Sequence, residues 1–360
     1  MEAFATRLKE LREGYHMTLQ QLADKLGVSR QAVHRLETSD MKPSSEMLMN
    51  ICEIFGKNYD DFRKNVADRY SLEQISFRHS REGEVKQLTL VEIKQEVLNE
   101  VSYFIDLEDL LEIERTFDNP VADLGIVHRK DVEKAAKQLR KKWKLGSVPI
   151  ADVVDLLENK GVYVVEVSYN EDFSGLSTML NNEIPVVVLN RNVLTKTRKR
   201  LTAIHELAHL ILQFAQHLDE QTIERYCNHF AGAVLIPEEV LFDELGKRRM
   251  GIYFSELKRI KETYGISIQA IIFRASETGF ISPGDLGTWL QTYEEWKKNE
   301  MKIIGSGDFP SREKPSRKEA LLVRALAEKR MMWAKAAEVM HTNIDHLKSL
   351  YGSQVLQIRN

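Results

Sequence analysis

Three side chains carry most of the chemistry that this sequence offers: His205, Glu206 and His209, inside the run L-T-A-I-H-E-L-A-H-L-I-L from Leu201 to Leu212. On a helix, residues i and i+4 lie on one face a turn apart. Both imidazoles can therefore reach a single metal ion while Glu206 leans toward the same open edge. This H-E-x-x-H spacing is a zinc signature in which the glutamate works as a base rather than as a ligand. The surrounding run is apolar, helical in period and free of proline and glycine, as expected of a buried helix. The plain alternative is two histidines capping such a helix.

An element of this kind needs a folded body around it. At 360 residues the chain can form two or three domains, and 43% hydrophobic with 29% charged residues is ordinary for a globular protein. Its net charge of -3 gives no global pull toward nucleic acid or anionic membrane, so DNA binding has to come from a local surface. Two cysteines, Cys52 and Cys227, fit a reducing cytoplasm and cannot build a structural zinc knot. No signal-length apolar stretch opens the chain and no run of eighteen apolar residues occurs, so the expectation is a cytoplasmic protein without a membrane span.

Upstream of the histidines, the pattern predicts helices over Asp131–Trp143 and Ala151–Lys160, the second ending at Gly161. Val162–Val167 and Ile184–Leu189 read as strands, the latter beside Phe173–Leu180, and basic Thr197–Arg200 leads into the metal helix. Downstream comes E-R-Y-C-N-H-F-A-G-A-V-L-I-P, Glu224 to Pro237. In this order the elements resemble the ImmA/IrrE metallopeptidase family over about residues 131–280, with Cys227 where that family has alanine. The resemblance implies a zincin-like domain with zinc as cofactor. It also implies that Glu224 is the third protein ligand and that Asn228, one turn on, holds a ligating imidazole by its remaining N–H. Two histidines and one carboxylate leave one coordination position open, the ligand count of a catalytic site. Glu206 would then take a proton from water and return it to the leaving amine. Tyr169, Tyr226 and His229 are candidate oxyanion donors, with packing as the plainer role for each. His217 is a poorer third ligand than Glu224, because its spacing of eight from His209 fits no metzincin pattern. The Pro185–Asn190 strand is a core strand by default, and as an edge near the zinc it could pair with an extended substrate.

The first 65 residues read as short amphipathic helices: Arg7–Arg12, Leu19–Leu26 and Ser29–Glu37. Gly27 permits a left-handed turn and Ser29 caps the next helix. The stretch T-L-Q-Q-L-A-D-K-L-G-V-S-R-Q-A-V-H-R-L-E, Thr18 to Glu37, resembles the XRE, lambda-repressor-like DNA-binding family, a five-helix domain. That family places its third helix in the major groove. The resemblance makes Ser29, Arg30, Gln31 and His34 base-reading candidates and puts Gln20, Arg35 and Lys42 near phosphates. It also implies a homodimer on a double-stranded operator. Ten basic and ten acidic residues up to position 65 leave open a domain that serves only protein contacts.

Residues 66–130 read as a helical connector, with an apolar stripe from Leu90 to Ile113 that is either a packing face or a dimerisation arm. After the site, Phe254–Tyr264, the Gly265 turn and a helix capped by Ser267 form a wall of the peptidase domain, assigned here to 131–300. Lys302–Arg317 has two glycines, two prolines and many charges, the composition of a linker. Residues 318–360 form a helical segment. Its run W-A-K-A-A-E-V-M-H-T-N-I-D-H-L can be laid over the N-terminal helix-turn-helix, Ala337 on Ala23 and Leu347 on Val33. His341 there replaces Gly27, which argues against the same turn.

The expected fold is mainly α with a small β-sheet (α+β): an all-α helix-turn-helix domain, a zincin-like domain and a helical C-terminal region. The expected function is a DNA-binding transcriptional regulator fused to a zinc metallopeptidase that cleaves a repressor-like or other regulatory protein. The alternative is a non-proteolytic regulator or antitoxin-type protein, partnered with a toxin, whose zinc-site domain senses a metal, peptide or partner.

Overall fold

The structure, a computed structural model, describes residues 2–15, 17–38, 40–41, 43–55, 87–114, 116–169, 173–180, 183–192, 195–246, 251–297 and 309–352. These form two compact units, one up to residue 102 and one from residue 103 on. The long helix Gln87–Leu110 begins in the first and ends in the second. The fold is mainly α with small sheets, as the sequence implied. No helix among the described residues is long and apolar enough to cross a membrane.

In the first unit, α1 (Glu2–Gly14), α2 (Leu19–Leu26), α3 (Arg30–Glu37) and α4 (Ser45–Phe55) enclose a core of Leu8, Leu11, Leu22, Ala23, Val33, Leu36 and Ile51. The first helix is longer than the six residues that its polar pattern suggests. Thr18 opens α2 with a capping box: Gln21 N–H donates to its hydroxyl, and its own N–H donates to the Gln21 side chain. Gly27, at φ 66°, closes α2 in the left-handed conformation and turns the chain into α3. Arg12 staples α1 to α3 through two bonds to Glu37, of 2.7 and 3.0 Å, and a third to the Met17 carbonyl.

The second unit continues after α5 (Gln87–Leu110) with β1 (Gly125–Ile126), α6 (Arg129–Lys142), α7 (Val153–Asn159), β2 (Tyr163–Val167), β3 (Gly175–Leu180) and β4 (Ile184–Asn190). Then come α8 (Lys196–Ile211), β5 (Gln213–Phe214), α9 (Glu220–Leu235), α10 (Glu238–Leu245), α11 (Phe254–Tyr264), α12 (Ile268–Glu277) and α13 (Pro283–Lys297). The main sheet has the order β2-β4-β3, with β4 parallel to β2 and antiparallel to β3; β1 and β5 form a separate parallel pair. Thus β4 is the central strand, its Val186, Val187, Val188 and Leu189 all fully buried, and the edge role considered for Pro185–Asn190 does not apply. Helix α8 lies between this sheet and α9, which in turn packs on α6 and α12.

Buried along the first turns of α8 is Arg200, whose side chain has no exposure. It donates to the carbonyls of Ile150, Tyr264 and Gly265 and pairs with the equally buried Glu313. The other face of that carboxylate accepts the N–H groups of Val153 and Val154 at the start of α7, which its helix leaves free. Glu158 accepts the N–H groups of Ser316 and Arg317 in the same way. Residues 309–317 are therefore pinned to the domain rather than free, contrary to their linker composition; 302–308 lie outside the described residues. Beyond them, α14 (Arg317–Ala327), α15 (Trp333–Val339) and α16 (Ile344–Tyr351) complete the unit.

Replacing Glu313 by alanine leaves Arg200 charged, buried and unpaired. The expected loss is about 3–5 kcal/mol of unfolding free energy, read as a lower urea midpoint than wild type in equilibrium denaturation.

Candidate metal centre and nucleic-acid interface

Helix α8 starts at Thr195, whose hydroxyl accepts the Arg198 N–H, and runs unbroken through both histidines. Helix α9 starts at Asp219, whose carboxylate accepts the Thr222 N–H, and brings Glu224 against them. The nitrogens and oxygens of His205, His209 and Glu224 converge within 4.8 Å. The two Nε2 atoms are 3.1 Å apart, and the Glu224 oxygens lie 3.4 Å from His205 Nε2 and 3.1 Å from His209 Nε2. Ligands about 2.0–2.1 Å from a tetrahedral zinc stand roughly 3.3 Å from one another. The donor set thus fits such an ion without rearrangement, and two imidazoles and a carboxylate are donors that zinc accepts.

The remaining ring nitrogens are occupied. His205 Nδ1 lies 3.2 Å from Asn228 Oδ1, and the Asn228 amide nitrogen donates to the Glu224 carbonyl. With the amide so oriented its oxygen faces His205, whose Nδ1 must carry the hydrogen, which leaves the Nε2 lone pair toward the donor cluster. His209 Nδ1 faces Cys227 Sγ at 3.4 Å. The sequence marks Cys227 only as a departure from the resembled pattern; its place three residues after Glu224 on α9 is the signal that it faces the site. Burial pushes its thiol well above the ordinary range.

Glu206 is 7% exposed and stands outside the converging three, on the side of α8 that meets β3. Burial pushes its carboxyl above the usual range, against the opposing pull of His205, His209 and the Ser177 hydroxyl. The approach of β3 is close: a Cβ on Gly175 would fall 2.6 Å from Thr202 Cγ2 and 3.0 Å from Glu206 Cγ.

His229 serves a different cluster. Its Nε2 meets Glu133 at 2.6 Å and its Nδ1 meets Glu277 at 3.4 Å, while Arg274 makes two contacts with Glu133, one of 3.0 Å. Tyr226 packs against the main core, and the Tyr169 backbone pairs with the Asn190 amide. His217 is exposed and is not part of the converging group.

On the N-terminal unit, Ser29 caps α3 by accepting the Ala32 N–H. Arg30, Gln31, His34 and Arg35 are exposed on α3, and Gln20 is exposed on α2 with its amide donating to Asp24. The six described candidates therefore lie on the solvent side of one helix pair, whose opposite face is the core. Lys42 lies outside the described residues.

The family described as IrrE N-terminal-like domain matches residues 157–276, and the helix-turn-helix family matches residues 8–62. An uncharacterized HTH-type transcriptional regulator of Archaeoglobus fulgidus is 36% identical over 56 residues, 16% of this chain and 80% of that protein. The chain belongs to the XRE-type helix-turn-helix transcriptional regulators, and it carries an IrrE N-terminal-like match further along. A second such regulator from the same archaeon is 34% identical over 56 residues, 16% of this chain and 79% of its own length. In this regulator the IrrE-like domain is metallopeptidase-like and includes β2, β3, β4, α8, α9 and α12.

The Glu133 cluster gives this domain an acid-sensitive joint. Burial opposes ionisation of Glu133, but His229 and Arg274 outweigh it and bring its pKa down from 4.5 to about 2. A depressed carboxyl pKa contributes stability above pH 4.5 that is lost as pH falls toward 2. Glu133→Gln should therefore cost about 2–3 kcal/mol at pH 7. Urea midpoints measured from pH 7 to pH 3 should show the variant and wild type converging at the acid end.

Proposed function

We propose that this regulator binds an operator through α3 and that its IrrE-like domain is a zinc-dependent endopeptidase acting on a regulatory protein such as a repressor. The observation that carries the enzymatic half is the convergence of His205, His209 and Glu224 at zinc-ligand spacing beside an intact Glu206. Zinc, when bound, would polarise a peptide carbonyl and make water acidic enough to lose a proton near neutral pH. The buried Glu206 carboxylate would accept that proton on an oxygen and hand it to the amine nitrogen as the peptide bond breaks. Asn228 keeps His205 in the ligating tautomer. An extended substrate would pair along β3, the sheet edge that abuts α8.

The DNA half rests on the exposed row of Ser29, Arg30, Gln31 and His34. Arginine matches guanine and glutamine matches adenine, each through two hydrogen bonds, while Gln20 and Arg35 would lie toward phosphates. The protein would act in the cytoplasm as a homodimer on paired half-sites. A second reading has the same zinc domain sensing a metal, peptide or toxin partner without cleavage. The helix-turn-helix unit on the same chain favours it, because it gives the zinc domain a readout that needs no cleavage.

Elemental analysis should find one zinc per chain in wild type and in Glu206→Gln, and much less in His209→Ala. Glu206→Gln should slow cleavage by about 10²–10⁴-fold. Comparative proteomics of cells with wild type or Glu206→Gln should show one or a few proteins accumulating intact in the variant. Full regulation by Glu206→Gln with no accumulating protein would replace the peptidase reading by the sensing one.

A further inference from the structure

The C-terminal helices repeat the N-terminal reading unit at a constant offset of 314 positions. Helix α16 (Ile344–Tyr351) has the span of α3 (Arg30–Glu37) at that offset, and α15 starts at Trp333 as α2 starts at Leu19. Five buried positions correspond in the same register, Leu322 to Leu8, Ala325 to Leu11, Ala336 to Leu22, Ala337 to Ala23 and Leu347 to Val33, whereas buried Leu36 falls on exposed Leu350. The turn corresponds bond for bond. Val28 N–H donates to the Ala23 carbonyl at 3.0 Å and Thr342 N–H to the Ala337 carbonyl at 2.9 Å. Gly27 N–H donates to Asp24 and His341 N–H to Glu338. Where Ser29 accepts the Ala32 N–H, Asn343 accepts the His346 N–H at 2.7 Å. His341 takes φ 50°, beside 66° at Gly27, so the residue whose type argued against this turn adopts its left-handed conformation.

The two copies are alike in charge: residues 317–352 carry seven Lys/Arg against four Asp/Glu and the corresponding residues 3–38 carry six against four, while the whole chain is at -3. Each copy is thus locally basic, which is the electrostatic condition for docking on phosphates. At the solvent face of α16, Ile344, Asp345 and Lys348 occupy the positions of Arg30, Gln31 and His34, and all three are exposed.

We propose that α14, α15 and α16 form a second helix-turn-helix unit that binds double-stranded DNA with α16 in the major groove. The side chains on α16 select a different sequence from those on α3. Ile344 suits a thymine methyl, Asp345 accepts from cytosine N4, and Lys348 donates to guanine O6 and N7. One chain then addresses two dissimilar half-sites. The unit is anchored to its own domain by Arg317 on Glu108, by Arg330 on Glu112 and the Leu110 carbonyl, and by His341 edge-on to Tyr103 with ring centroids 5.8 Å apart.

The test is selection of the full-length protein against a randomised 30-bp duplex library. Wild type should enrich two motifs. Arg30→Ala with Gln31→Ala should lose one of them at least tenfold, and Ile344→Ala with Lys348→Ala the other, while circular dichroism melts show both variants folded. Retention of every wild-type motif by the Ile344/Lys348 variant overturns the proposal. So does an unchanged motif set accompanied by a changed mass in solution, which would make this face a protein contact. Loss confined to the Arg30/Gln31 variant bears on the N-terminal unit alone and, with one motif in all, also overturns the second.

Discussion

A guanidinium with no exposure to solvent has to be met by acceptors on every side, and Arg200 places that demand in the first half of α8, the helix of His205 and His209. Three carbonyls and the Glu313 carboxylate meet it, drawn from the approach to α7, the end of α11 and the 309–317 segment. Desolvation lowers the pKa of Arg200 and raises that of Glu313, each offset by the other's charge. An apolar pair of similar volume could be as stable. What the ion pair adds is direction: an apolar helix could rotate within its greasy surroundings, whereas one tethered at Arg200 turns a fixed face to α9.

That fixed face matters because α9 is charged on two sides. Glu224 and Asn228 meet α8, while His229 joins Glu133 of α6 with Arg274 and Glu277 of α12. The same helix therefore fixes the donor cluster and ties down the layer behind it. The ordering of Glu224 is thereby coupled to the packing of helices that never approach the histidines, and their integrity governs how sharply the three donors converge.

Features encoded within a few residues were legible in the sequence. The His205–His209 spacing, the Gly27 and Ser29 turn signals and the periodicity of α6, α7 and α11 all act through local geometry, and the structure places those elements within one to three residues of where the pattern puts them. Strand order is a different kind of information. Pro185–Asn190 shows a valine-rich run whether it lies at an edge or at the centre, and only its pairing with residues 163–167 and 175–180 decides. Residues 309–317 mislead for a related reason. Their charges and prolines look solvated, but Glu313 is neutralised by a partner 113 positions away. Helices α10 and α13 went unread because short acidic or glycine-containing segments have weak helical signatures until they are packed. His341 shows the limit of residue-type rules, since a left-handed turn is costly for a non-glycine residue but open to it when both flanking helices are held.

The close approach at Gly175 also carries a meaning for how this site tolerates change. The gap between β3 and α8 is set by the absence of a side chain, and even one methyl group would overlap Thr202 and press on the stem of Glu206. Nothing in the chemistry of glycine contributes to proton transfer or metal binding. Yet a side chain at position 175 could be accommodated only by shifting Thr202 or the stem of Glu206. Among the residues that define the centre, one acts only by leaving room.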